Sequence, residues 1–326
     1  MRVLVIGGSG FIGTRLLEVL EVRGHSFTNF DRAPAPRYPE RTTIGDVRSA
    51  EELAAAAAGH DAIIHLAAEH RDDVTPRSLY EEVNVDGARA LIEAVESVGI
   101  DRIVFTSTVA VYGLDKSDAA ESSLPEPFNE YGRTKLAAEN LFTGWAERES
   151  SRSLSIVRPS VVFGEGNRGN VYNLARQVSS GRFIMVGRGE NRKSMSYVGN
   201  IVEYLADALE APAGVQVTNY ADKPDLSTSE LISVLRRSMD LPQHDRVRLP
   251  LAVGLAAGHI LDLAARVSKR TFPVSAIRIR KFAADTTVNT DRLTAAGYTP
   301  KYSMSEALRR TIDAEFPASE RQRKYS

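Results

Sequence analysis

The stretch VLVIGGSGFIGTRL, residues 3–16, limits more than any other what this chain can fold into. An unbroken apolar run stops at Gly7, and a helical pattern starts at Phe11 and Ile12. Between them Gly7, Gly10 and Gly13 follow a G-x-x-G-x-x-G spacing. Gly7 permits a tight turn, Gly10 lets backbone approach a pyrophosphate, and Gly13 lets helix and strand pack closely. The helix start then offers unpaired N–H groups to phosphate. A strand, a glycine turn and a helix in this order predict a parallel sheet with a dinucleotide at its end.

The chain continues in the same way. The runs SFTNFD, DAIIHLAA, DRIVFTS and LSIVRPSVVFG alternate with helical patterns at 11–20, 50–58, about 76–98 and about 129–149. Continuous apolar strands between helices predict a doubly wound α/β fold, its sheet covered on both faces. After Gly164 the pattern loosens into Gly/Asn loops, short strands and helices near 198–210, 227–239 and 303–315. This predicts a dinucleotide-binding domain over 1–165 and a smaller substrate-binding domain over 166–326. Helix 198–210 is expected to pack back on the first domain.

Charge and composition exclude several classes. A net charge of −1 with interspersed signs argues against nucleic acid as a partner. The absence of cysteine removes disulfides, thiolate catalysis and Cys-ligated metals, and no metal site is expected. MRVLVIGG is already a strand, so no secretion signal is read at the start. LPLAVGLAAGHILDLAARV, residues 249–267, contains His259 and Asp262 and falls short of the about 20 apolar residues of a membrane span. It reads as a packed or interfacial amphipathic helix.

Asp31 closes the second strand, eighteen positions beyond Gly13. An acid there accepts hydrogen bonds from an adenosine ribose and repels a 2′-phosphate, which favours NAD. Arg32 and Arg37 would instead welcome that phosphate, so NADP stays an alternative. Asp46 in GDVRS either reaches the adenine or caps the helix starting near Ser49. NEYGRTK places Tyr131 and Lys135 four apart on one helix face. A lysine ammonium close to a phenol is expected to lower its pKa toward that of a working base. Ser107 and Thr108, where another strand ends, would hold a substrate hydroxyl in line with that phenol.

Together GGSGFIG, FDR, GDVR, HLAA, NVDG, STVAVYG, YGRTK, RPSVVFGEGN and SYVGNIVEYLADAL resemble the extended short-chain dehydrogenases/reductases, in their nucleotide-sugar epimerase/dehydratase branch. The resemblance implies a Rossmann-type fold and NAD(P) bound by Gly7, Gly10, Phe11, Ile12, Asp31 and Arg32. It implies adenine against Asp46 and Val47, and further cofactor contacts from Leu66, Ala67, Ala68, Ser107, Tyr131 and Lys135. Thr108, Tyr131 and Lys135 take the catalytic places, and Asn84 a structural or cofactor-side one. Relatives that dehydrate or decarboxylate carry acids between the Thr and VYG. Here those positions are Val109 and Ala110, which cannot transfer protons. That leaves a 4-epimerase working through a transient 4-keto sugar. The alternatives are a ketoreductase of a nucleotide sugar or steroid-like ketone, or a cofactor-bound regulator without catalysis.

A nucleotide diphosphate needs cations. Arg192 and Lys193 stand close to where the family holds an Arg on the diphosphate, with the register falling on Lys193. Arg278 and Arg280 form a second pair, and Asn170 or Asn173 resembles the family's Asn at the first phosphate or sugar. The resemblance further implies a cytoplasmic homodimer.

Overall fold

Along the first strand, Arg2–Ile6, side chains alternate between two cores. Val3 and Val5 are buried with Leu16, Leu17 and Leu20 of helix Phe11–Val22. Leu4 and Ile6 are buried on the other side with Leu53, Leu91 and Val95. Burial on both faces is why such strands read as unbroken apolar runs. The computed structural model describes residues 1–71, 74–181, 183–243, 248–268 and 276–317.

Seven parallel strands lie in the spatial order Thr42–Ile44, Ser26–Asp31, Arg2–Ile6, Ala62–His65, Arg102–Thr106, Ser153–Pro159 and Gly214–Tyr220. The order runs outward in both directions from Arg2–Ile6. Its neighbour Ala62–His65 is reached only after the chain has gone out to Thr42–Ile44 and come back. The crevice at this reversal is where doubly wound sheets bind ligands, and the glycine loop opens into it. The seventh strand comes from beyond residue 165. Helix Val198–Asp207 packs on helix Phe11–Val22, and Arg23 bridges to Glu203 at 2.6 Å and Asp207 at 2.5 Å.

The expected helix over 76–98 is three pieces: Ser78–Glu81, a π turn Glu82–Asp86, and Gly87–Val98. Asn84 explains the break. Its amide accepts from the Glu69 N–H at 2.8 Å and donates to the Glu69 carbonyl and the Thr134 hydroxyl. Such π turns widen a helix at one residue and re-aim a side chain.

A second sheet carries Asp222–Ser227, Arg192–Tyr197, Thr286–Val288 and Lys116–Ala119 in that order, with Val161–Phe163 beside Arg192–Tyr197. A two-stranded ladder, Met185–Val186 with Arg248–Leu249, lies under helix Leu251–Ser268.

Candidate active site

The glycine loop is held open by contacts that admit no side chain. Gly7 sits at φ +87°, and a Cβ there would lie 2.6 Å from the backbone N of Ala67. A Cβ on Gly13 would lie 2.4 Å from the Cα of Gly8. Helix Phe11–Val22 starts at Gly10 with no side-chain cap and no acid in its first turn. Its leading N–H groups therefore face the crevice as an anion site. Leu66 and Ala67 donate their N–H groups to the Ile6 carbonyl, which fixes the opposite wall.

Asp31 is clamped at the strand end by the N–H groups of Ser9 at 3.0 Å and Ala33 at 3.2 Å. Arg37 is drawn away to Glu18 at 2.8 Å, so it is not the free cation that a 2′-phosphate would need. Arg32 is exposed. Asp46 does not cap the following helix, because Ser49 does so by accepting from the Glu52 N–H. The Asp46 carboxylate binds the Arg48 guanidinium instead, at 2.6 Å, and this holds its pKa below the usual range. Val47 is buried against Gly87.

Thr108 ends the hydroxyl strand and caps a short turn, Val109–Tyr112, by accepting from the Ala110 N–H at 3.1 Å. Helix Glu130–Glu147 brings Tyr131 to it. Asn129 caps that helix through the Gly132 N–H. Gly132 allows the approach, since a Cβ there would lie 2.6 Å from the Ala110 carbonyl oxygen. The geometry thus joins Thr108, Tyr131 and Lys135.

The electrostatics differ from the sequence expectation. Burial pushes the Tyr131 phenol up to about 12, and a hydrogen bond with Thr108 pulls it only partway back. Lys135 does not depress it. Burial lowers Lys135 itself to about 7, against a raising pull from Glu139. Desolvation raises a phenol and lowers an ammonium when both groups lack water. Among the described residues Lys135 has no hydrogen bond or ion pair; its ammonium lies 4.0 Å from the centroid of the Phe105 ring. A buried ammonium with no acceptor, an uncapped helix start and a carboxylate at Asp31 together fit a dinucleotide. NAD held there by the glycine loop, Asp31 and Lys135 would supply a hydride acceptor, a positive charge and ribose hydroxyls to accept hydrogen bonds from Lys135.

Behind these groups runs a buried polar chain that the sequence reading missed. Ser107 donates to Glu139 at 2.5 Å, and Arg158 grips the same carboxylate at 2.9 and 2.6 Å. Arg158 also donates to the Tyr112 hydroxyl, which donates to Asn219 at 2.8 Å. Two signals were present: the stripe Tyr131, Lys135, Glu139 at four-residue spacing, and a lone charge in the otherwise uncharged run LSIVRPSVVFG. His70, its ring 6.5 Å from that of Tyr131, was also missed.

The substrate candidates separate. Lys193 is partly buried, with its pKa lowered by burial against the pull of Asp285 and Asp115, and it donates to the Ala284 carbonyl at 3.0 Å. Arg280 meets Asp115 at 3.4 Å, so these two cations share one side of the loop that follows Gly113. Arg192 turns away, to the Asp225 carbonyl and to Glu230 at 3.2 Å, because neighbouring strand residues point to opposite faces. Asn173 spends its amide on the Arg168 carbonyl. Asn170 is exposed at the start of helix Asn170–Ser179. The Arg278 side chain lies outside the described residues.

Comparison with known proteins extends this picture. The family described as NAD dependent epimerase/dehydratase matches residues 3–220. An N-acetyl-alpha-D-glucosaminyl-diphospho-ditrans,octacis-undecaprenol 4-epimerase of Escherichia coli O157:H7 is 44% identical over 317 residues, covering 97% of this chain and 95% of its own. A 3-beta-hydroxysteroid dehydrogenase of Mycolicibacterium neoaurum is 35% identical over 64% of this chain and 61% of that one. Among solved structures, MoeE5 in complex with UDP-glucose and NAD matches with a TM-score of 0.77, at 26% identity over 100% of both chains.

Proposed function

Because the chain belongs to the NAD-dependent epimerase/dehydratase family, we propose that it inverts C4 of an N-acetylhexosamine joined through a diphosphate to a polyprenol. The substrate class comes from the 44% identity to the undecaprenol-linked relative, which extends over both halves of the chain. The steroid dehydrogenase similarity covers only 64% of the chain, and it leaves the ketoreductase as the second reading.

The observation that carries the chemistry is the Thr108–Tyr131 pair beside two residues that hold no proton. Thr108 orients the C4 hydroxyl and Tyr131 takes its proton, returning it once the sugar has presented its other face. Lys135, one helical turn along and lowered to about 7 by burial, is placed to hold a ribose hydroxyl of the cofactor, and the positive ring of bound NAD would be what lowers the cost of the phenolate. Val109 and Ala110 leave the neighbouring carbons untouched. Ser107, fixed by Glu139, lines the cofactor side, with Asp31 on the adenosine ribose. Lys193 and Arg280 are the cations for the diphosphate, and the second sheet is the substrate side. The reading carries a cytoplasmic homodimer with it, which light scattering on the purified protein tests.

Turnover in heavy water is the test. An epimerase places no deuterium on any sugar carbon and shows no net consumption of cofactor. A ketoreductase consumes reduced cofactor stoichiometrically, and a dehydratase labels C5. The substrates to compare are a polyprenyl-diphosphate N-acetylhexosamine and the matching UDP-sugar.

A further inference from the structure

Helix Leu251–Ser268 is built inside out over its first turns. Gly254 and Gly258 are the residues it buries, and a Cβ on Gly254 would lie 2.5 Å from Val186. The residues facing outward are Leu251, Ala252, Val253, Ala256, Ala257, His259 and Ile260. Val253 is 51% exposed and Ile260 68%. Ile184, beside the two-stranded ladder, and Ile277, on the adjoining helix Ala276–Ala283, are also exposed. An ordinary surface helix turns charge outward, and this face carries none between 249 and 261. The flanking chain is strongly basic. Residues 248–281 hold seven Lys and Arg against one acid, Asp262.

We propose that this face docks on an anionic lipid bilayer. Exposed aliphatic side chains enter the acyl boundary, and the excess of Lys and Arg in the surrounding sequence favours anionic headgroups. The charge complementarity selects a membrane over a second copy of the chain, whose basic segment would face its own kind. The patch also leads to the cleft: Arg280, on the helix bearing Ile277, meets Asp115 just beyond the Val109–Tyr112 turn. Docking therefore brings the diphosphate side of the site to headgroup level. Among the described residues no helix is long and apolar enough to cross a membrane, so the contact is peripheral. The purpose of docking rests on the polyprenyl reading above, whereas the binding itself does not.

The experiment is co-sedimentation of the full chain with phosphatidylcholine vesicles and with vesicles that also contain phosphatidylglycerol, without substrate. The wild type should sediment with the mixed vesicles and more weakly with phosphatidylcholine alone. The double variant Val253→Ser, Ile260→Ser should lose about tenfold in partitioning, the order expected for two aliphatic side chains at an interface. Its turnover of a sugar diphosphate on a short, water-soluble prenyl chain should be unchanged. A wild type left in the supernatant with both vesicles, or a variant that binds as well, overturns the proposal. So does a wild-type dimer that the two serines dissociate without any vesicle binding. An enzyme that docks but turns over only UDP-sugars retires the polyprenyl reading alone. One that epimerises the polyprenyl substrate in detergent and ignores vesicles retires the docking alone.

Discussion

Helices Glu130–Glu147 and Leu251–Ser268 are both 18 residues long and follow opposite rules. The first buries charge: Lys135 and Glu139 are almost inaccessible, and its exposed side carries Arg133 paired to Glu81 and Glu130. The second, over its described residues 251–261, buries glycine and exposes aliphatic groups. A globular fold left to stability alone would do neither, since buried charges cost free energy and exposed aliphatics gain none. On the function and the docking proposed above, these departures from the ordinary pattern are the working parts of the chain. One departure points inward to chemistry and the other outward to a surface.

The sharpest way to break that comparison is at Tyr131. Tyr131→Phe should lower epimerisation by about 10²–10⁴-fold, the usual worth of a general base, and leave NAD affinity nearly unchanged. Steady-state turnover with calorimetric titration of NAD checks both halves, and a near-normal rate would remove this helix from the mechanism. Next is the buried pair behind it. Arg158 and Glu139 are 7% and 4% exposed. Arg158→Met strands the carboxylate and should cost about 3–5 kcal/mol of stability in urea unfolding. Adding Glu139→Leu should recover much of that loss, because removing both charges removes the desolvation cost.

A smaller effect follows from Lys135. Its folded pKa is about 7, against about 10.4 for an unfolded lysine. Between those values the unfolded chain holds a proton that the folded chain has lost, so stability rises with pH across that window. Below pH 7 both states are protonated and this contribution is flat. Above about pH 10 the trend reverses, since the unfolded tyrosine ionises first while Tyr131 keeps its proton to about 12. Thermal melting of the cofactor-free protein across this range, beside Lys135→Met, should show the rise in the first and not in the second. The smallest effect belongs to the outward helix. Val253→Ser should change melting by no more than about 0.5 kcal/mol, as exposed substitutions do. A larger loss would mean that this face is packed and the contrast between the helices is false.

Most of the fold could be read from the chain because its strands are buried on both sides and its helices on one. The Gly7–Gly10–Gly13 spacing located the crevice, and the Tyr131–Lys135 spacing a buried helix face at the end of the hydroxyl strand. What sequence could not supply was long-range pairing. Arg192 and Lys193 look alike on paper, and only the strand's pleat sends one to Glu230 and the other toward Asp115. The Asn84 turn depends on a backbone fifteen residues away. The expected lowering of the Tyr131 phenol fails for a related reason: spacing gives proximity, whereas burial, set by the whole fold, decides which charge survives.

The turn Val109–Tyr112 has one more consequence. A 4-keto sugar held in this cleft has C–H bonds beside its carbonyl that are far more acidic than in the parent sugar. Any carboxylate within reach would strip one of them and expel a neighbouring hydroxyl. Val109 packs on the buried cluster of Val111, Tyr112 and Ala119, and so presents hydrocarbon where a base would stand. On the reading proposed here, the fidelity of the reaction is secured by omission. The ketone survives long enough to turn over because the residues beside it are unable to react with it.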